Sequence, residues 1–545
     1  MVVKSGHVDL EFALALLYVS CLRCEAAVAG QVDTVRRATA EALAELTVAE
    51  GATTHEDRLF RRFTEFAEKI LAVSFPKPDV READANRAGA GEADVVGTKL
   101  WAYFEELRDI TTVFTEFALA RYSSREDEMS TRYKLMQRLK EAGRQTLYIQ
   151  YMYRLYEDFG TEGSWSQAGH AMLIILDELS WSKMTSPIEL ASLSTGTVGE
   201  LKAFLCSRTV NNFVKAREYE RALQVIQLYK VYLQQRYDFK GMAMLLRKES
   251  AIYETLNEVE RVVPMYAYTG FYGQDFPPNL RNKEFIYRCY DAERIASFST
   301  RIQLAYPCAK VLRSRSDFDP AMRSQEGQVI VISTVQPCRT RWGRPPPNLP
   351  EHVRKYREGD NVDTFVLKQT FRKEKNKGKN EFQNLWVRNT FLRSAETLPG
   401  IFNRSEVVEI TLEELSPVEN ALINVREKNE QLREIVGGYE TGRNPCSLDK
   451  LTRSLNGVID AEVNGGIRMY QEAFYNEEYV SKYPDHIRHI EALLEELRAT
   501  LPLLERGLKQ HRRFVPDNMM PLHQKMEEFY GSMQNRVSTI QVPQP

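Results

Sequence analysis

Histidine and cysteine are scarce in this chain of 545 residues, at eight and seven copies, and neither sign of charge is in excess, since 73 Lys and Arg face 75 Asp and Glu. A formal charge of −2 lacks the basic surplus of proteins that work on nucleic acid or anionic membranes, so neither is expected as the main partner. The cysteines, at 21, 24, 206, 289, 308, 338 and 446, are odd in number and scattered, which excludes a disulfide framework and fits a reducing, cytosolic setting. Cys21 and Cys24 form C-x-x-C, but no second pair completes four metal ligands, so two helix-face thiols are expected there. Long uncharged apolar runs are missing too. The segment FALALLYVSCLRCEAAVAG follows Lys4 as a secretory signal would, yet Asp9 and Glu11 at its start oppose that reading. Elsewhere no run reaches the roughly 18 apolar residues a membrane-spanning helix needs.

Reaction-centre motifs are absent as well: G-x-S-x-G, G-x-x-x-x-G-K-[ST], H-E-x-x-H and a Rossmann fingerprint after a strand. His486 and His489, three apart near Asp485 and Glu491, have no further His or Cys to complete a metal site and read as helix surface. Glu495 and Glu496 read as a solvated charged face. No metal, no cofactor and no covalent chemistry of its own are expected, and the residues favour an interaction protein over a self-contained enzyme.

What is present is a mostly α chain with a central β lobe (α+β), expected in four parts. Residues 1–140 read as helices interrupted by a Pro-, Ala-, Gly- and charge-rich linker at 74–98. Residues 141–263 read as a helical array, because LYIQYMYRLYEDFG, SWSQAGHAMLIILDELSW and the segment from YERALQ to YETL carry apolar residues at helical spacing. Residues 264–410 read as a lobe of β-sheets, with QVIVISTVQP and VDTFVLKQTFRK as strands, a proline-rich loop over 339–361 and a charged loop at RKEKNKGKNEF. Helix is expected again from about Thr411, with Thr411 or Ser416 as N-cap and Pro417 at the first helical position. Residues 411–545 then form a C-terminal four-helix bundle, in which Ile487, Ile490, Leu493, Leu494, Leu497, Leu501 and Leu504 share one face and a last helix covers 521–537. One helix of the bundle is broken at DAEVNGGIRMY, because Asn464, Gly465 and Gly466 are poor helix formers and each Gly costs about 1 kcal/mol against Ala.

The ordered motifs YGQDFPPNLRNKEFIYR, NEFQNLWVRNTFLRSAETLPGIFNRSEVV, LSPVENAL and LNGVIDAEVNGG with YQEAFY resemble the second Dock homology region of the DOCK-family guanine nucleotide exchange factors. DELSW and MPLH extend the likeness, which covers about three quarters of the chain, over 144–537. The resemblance implies a helical array (lobe A) that buttresses a β lobe (lobe B) and a helical bundle (lobe C), with lobes B and C forming the surface for a Rho-family small GTPase. It implies exchange activity, with Rac first among substrates, and a homodimer through lobe B. It places Val463, followed by Asn464, Gly465 and Gly466, at the bound nucleotide and its magnesium. Leu455, Asn456 and Gly457 match the approach to that loop, and Leu415, Ser416 and Pro417 match the segment that opens lobe C. The competing reading is a non-catalytic helical scaffold that holds a GTPase or an adaptor. Relatives carry a lipid-binding region and often an SH3 domain before this part; neither is visible in residues 1–140, so adaptor contact would run through regions outside the chain. Location in the cytoplasm, with recruitment to the plasma membrane, is the expectation.

Overall fold

The computed structural model describes residues 125–141, 145–182, 196–259, 261, 263–290, 293–315, 318–338, 351–373, 381–442, 447–459 and 467–543. The Cys21–Cys24 pair, the N-terminal apolar run, the linker at 74–98, the basic run at 374–380 and the Val463–Gly466 segment lie outside them.

Six helices build the array: α1 Arg125–Glu141, α2 Gln145–Thr161, α3 Trp165–Glu178, α4 Val198–Lys215, α5 Tyr219–Gln235 and α6 Phe239–Glu258. Their apolar stripes meet in one core; in α2, Tyr148, Met152, Leu155 and Phe159 recur at helical spacing and are all buried. Two consecutive turns repeat one geometry. At the end of α4, Arg217 N–H bonds to Val214 O and Glu218 N–H to Phe213 O; at the end of α5, Tyr237 bonds to Gln234 and Asp238 to Leu233 in the same way. Arg217 (φ 58°) and Tyr237 (φ 55°) take the left-handed position such helix ends require, so each turn reverses the chain into the next helix. The expected boundary at 140 shifts toward the N-terminus, because Met129 and Met136 of α1 belong to this same core.

The second lobe contains β1 Tyr266–Tyr272, β2 Lys283–Arg288, α7 Ile295–Ala305, β3 Lys310–Leu312, β4 Val329–Pro337, α8 Glu351–Gly359, β5 Val362–Arg372, β6 Leu385–Leu398 and β7 Arg404–Leu415. The ladder runs β1-β2-β7-β6-β5-β4, and β4 pairs back onto β1, so the sheet closes on itself with β3 lying parallel beside β4. Alternate side chains enter two cores: Val329 and Val331 join Tyr268, Phe365 and Leu392, whereas Ile330 and Ile332 pack with Phe271, Phe298 and Ile302 under α7. Two expectations are corrected here. Part of the proline-rich stretch, Glu351–Gly359, is helix α8. TLEEL is not the start of a helix, because β7 pairs with β6 as far as Leu415.

The bundle is α9 Pro417–Thr441, α10 Leu448–Ile459, α11 Ile467–Phe474, α12 Glu477–Lys482, α13 Ile487–Phe514 and α14 Met520–Thr539. Its core has two halves. The first joins Val418, Leu422 and Val425 of α9 to Tyr470 and Phe474 of α11 and to Ile490, Leu493 and Leu497 of α13. The second joins Leu432, Leu451, Leu455, Leu504, Leu508, Met526 and Met533, from the other end of α9, α10, α13 and α14.

Candidate functional site

Strand β7 hands over to α9 in a single residue. Ser416, 1% exposed, is the N-cap: its Oγ accepts from Glu419 N–H, and the Glu419 carboxylate accepts from Ser416 N–H at 2.8 Å, a capping box with Pro417 at the first helical position. Ser416 and Pro417 are thus buried at the lobe junction, and Leu415 is half-buried beside them. Burial of the Glu419 carboxylate would raise it, but its bonds to Ser416 and the nearby His489 and His486 hold it below the usual range.

Between the two halves of the bundle core lies a buried polar layer. Thr500 Oγ1 donates to Asn429 Oδ1 at 2.7 Å, and Asn429 Nδ2 donates to Glu496 O and Oε2 at 3.0 Å. Asn429 lies between Val425 and Leu432 on α9, and Thr500 between Leu497 and Leu504 on α13, where the apolar stripe changes from one half-core to the other. Helices α10 and α11 divide between the two half-cores as well. Helix α10 ends at Ile459 with Leu455 in the second half-core; α11 begins at Ile467, which touches both. The expected sensor residues Val463, Asn464, Gly465 and Gly466 fall between them, outside the described residues.

Helix α10 is seated from behind at two points. A Cβ on Gly507 of α13 would lie 2.7 Å from Leu455 Cδ2 and 3.2 Å from Val436 Cγ2, so only glycine permits this approach. One turn away, Thr452 Oγ1 lies 2.9 Å from His511 Nε2, and His511 Nδ1 lies 3.1 Å from His523 Nδ1, with both imidazoles buried. Since Thr452 gives its own hydroxyl to Leu448 O, His511 Nε2 donates to Thr452, and His523 Nδ1 then donates to His511. Burial and the neighbouring His523 push His511 below the usual histidine range. Leu455, matched to the approach to the sensor loop, has its side chain fully buried and anchors α10. Asn456 is half-buried with its Oδ1 enclosed and without a partner, and a Cβ on Gly457 would meet nothing within 4 Å.

The β lobe fixes the other side of the interruption. Gln383 Nε2 donates to Ala473 O of α11 at 2.9 Å, Phe382 packs on the first half-core, and Trp386 stands 6.4 Å from Tyr483 and 6.2 Å from His486. The two flanking helices thus sit in different halves of the bundle core, α10 in the second against α13 and α14, α11 in the first against α9 and α13 with a further bond to the β lobe. His486 stacks on Tyr483 and receives or gives a bond to Tyr479 at 3.1 Å, while His489 pairs with Glu419 at 3.6 Å. Among the described residues no group of three or more His, Cys, Asp or Glu could hold a metal ion. The sequence did not point to Asn429, Thr500, Thr452 or His511; the signal available was a polar residue at a position of the apolar stripe.

A helical array, a closed β lobe and a helical bundle define a three-lobed α+β architecture. The family model for DHR-2, Lobe C matches residues 439–540, from the end of α9 through α14. The chain is 30% identical over 399 residues to human Dedicator of cytokinesis protein 3, covering 72% of this chain and 19% of that protein. It is 30% identical over 397 residues to human Dedicator of cytokinesis protein 4, covering 72% and 20%. To DOCK-like protein 1 of Saccharomyces cerevisiae it is 27% identical over 418 residues, covering 73% and 21%. The chain belongs to the DOCK family and carries its DHR-2 domain; it spans about a fifth of the length of these curated relatives.

Proposed function

We propose that this protein is a guanine nucleotide exchange factor for a Rho-family small GTPase, with Rac as first substrate, and that Val463 drives GDP release by excluding magnesium. The observation that carries the reading is that α10 and α11, which flank Val463 and two glycines in the sequence, are seated in different halves of the bundle core within the segment matched by the DHR-2 lobe C model. Magnesium demands oxygen ligands in near-octahedral geometry around the nucleotide phosphates. An isopropyl group in that space offers no ligand, leaves phosphate charge uncompensated and weakens GDP. By reciprocity the factor binds nucleotide-free GTPase more tightly by the same ratio. Glycine at 465 and 466 opens backbone angles closed to other residues, which lets the chain leave the helix and carry Val463 outward. Asn456 and Gly457, and the Leu415–Pro417 junction, frame the GTPase contact, with Leu455 as its internal support.

The chemistry belongs to the GTPase, so this protein acts as a regulator. Among the described residues no helix is long and apolar enough to cross a membrane; we infer a cytoplasmic protein brought to the plasma membrane by recruitment, with adaptor contact through parts of a longer polypeptide. Self-association was expected through the β lobe. The exposed apolar row Val408, Ile410 and Leu412 along β7, at 53, 41 and 64%, supports that face. Catalytic amounts of the protein should accelerate release of a fluorescent GDP analogue from Rac in excess GTP. Stable binding to Rac without acceleration would select the scaffold reading.

A further inference from the structure

Where the helical array meets α8 and the β lobe, a cavity of ≈ 210 Å³ opens at the α4–α5 turn. Four basic side chains, Arg217, Arg261, Arg288 and Lys355, line it against two carboxylates, Glu218 and Asp360. Both carboxylates are already engaged from outside the cavity. Asp360 accepts from Arg221 Nη2 at 2.7 Å, and Glu218 lies 3.3 Å from His170 Nε2 and 3.5 Å from Arg221 Nε. The cations are less well served. Arg261 gives Nη2 to Glu220 at 2.7 Å, but its Nε is enclosed without a partner; Arg288 bonds Tyr266 and lies 3.9 Å from Glu218, and its Nε is likewise enclosed and unpartnered. The Arg261 side chain is 10% exposed and held between the rings of Tyr219 and Tyr356, at 5.5 and 5.3 Å.

We propose that this cavity is an anion site for a phosphate group, free or as a small monoester, bound by Arg261, Arg288 and Arg217. Buried guanidinium donors without acceptors are rare in folded proteins and mark a place where an acceptor belongs. Guanidinium groups suit phosphate because their planar N–H donors can bond two oxygens at once. The start of α5 lines the same cavity, and its N-cap Glu218 makes no side-chain cap bond, so the helix adds a positive end. The field is visible in Glu218: burial alone would raise its carboxyl, yet His170, Arg288 and Ser166 hold it at about 2. Arg217 is exposed and takes φ 58°, the left-handed angle of the turn that leads into α5. The site lies in the helical array and stands independently of the exchange reading.

Isothermal titration of the full chain with inorganic phosphate, at ionic strength held constant with sodium chloride, tests it. One saturable equivalent is expected, with a rise in Tm that chloride does not reproduce. Arg217→Glu, a change at an exposed position, should weaken that binding by at least about tenfold while leaving Tm without phosphate unchanged. Arg261→Gln, checked for folding by circular dichroism, should do the same. O-phosphoserine as a second titrant separates the sources: binding at least as tight as phosphate supports a monoester, and binding of phosphate alone supports the free ion. No saturable heat with either titrant, or equal binding by Arg217→Glu, would overturn the proposal.

Discussion

Leu455 and Gly457 stand two residues apart on α10 and meet opposite conditions, one fully buried against Gly507 and the other with open space beyond its Cα. Truncating Leu455 to Ala should cost about 2–5 kcal/mol, read as a lower urea midpoint, because the cavity opens at a site that cannot collapse onto a glycine. Gly457→Ala should leave stability unchanged or raise it by up to about 1 kcal/mol through helix propensity; if it frames the partner surface, its effect appears in Rac affinity instead. His511 sets a pH dependence. Its folded-state proton affinity is depressed, so the neutral ring stabilises the bundle above the usual histidine range, and that contribution is lost as pH falls through the value held in the folded protein. The urea midpoint of the wild type should therefore drop between about pH 7 and 5, more steeply than that of His511→Asn. The sequence could not show this residue's role, because its partners Thr452 and His523 come from two other helices.

At the level of elements, the start of α9 was legible and the end of β7 was not. Ser416, Pro417 and Glu419 spell a capping box with proline at the first helical position, and the structure builds it. Ser416→Ala should lower stability by about 0.5–2 kcal/mol, measured by denaturant unfolding, and disturb the junction that both lobes share. TLEEL reads as helix because Leu and Glu favour it, but pairing of β7 with β6 along 407–415 overrides that weak preference. Val408, Ile410 and Leu412 do alternate at the strand period, a signal that the glutamates between them hid. Helix α8 was hidden by the prolines ahead of it. The polar layer of Asn429 and Thr500 needs the three-dimensional arrangement of α9 and α13, which no local pattern in either helix announces.

The whole molecule depends on contacts that no local pattern announces. Asp127 of α1, 0% exposed, accepts from Arg404 Nη2 of β7 at 2.5 Å and from Tyr306 at 2.6 Å, while Arg404 also donates to Tyr287 at 3.1 Å. This buried pair ties the first described helix to the β lobe. Asp127→Ala leaves Arg404 enclosed without its carboxylate, and the loss should be about 3–5 kcal/mol in equilibrium unfolding. Leu412→Glu on the exposed face of β7 should shift the protein toward monomer in light scattering without lowering its stability. The three-lobe order was readable from periodicity, whereas the joins between lobes rest on single residues far apart in the chain. Exchange by magnesium exclusion turns on Val463, and the most direct measurement compares the wild type with Val463→Ala for GDP release from Rac and for binding to nucleotide-free Rac. Loss of acceleration with binding largely retained is expected; equal acceleration by the variant would contradict magnesium exclusion by Val463.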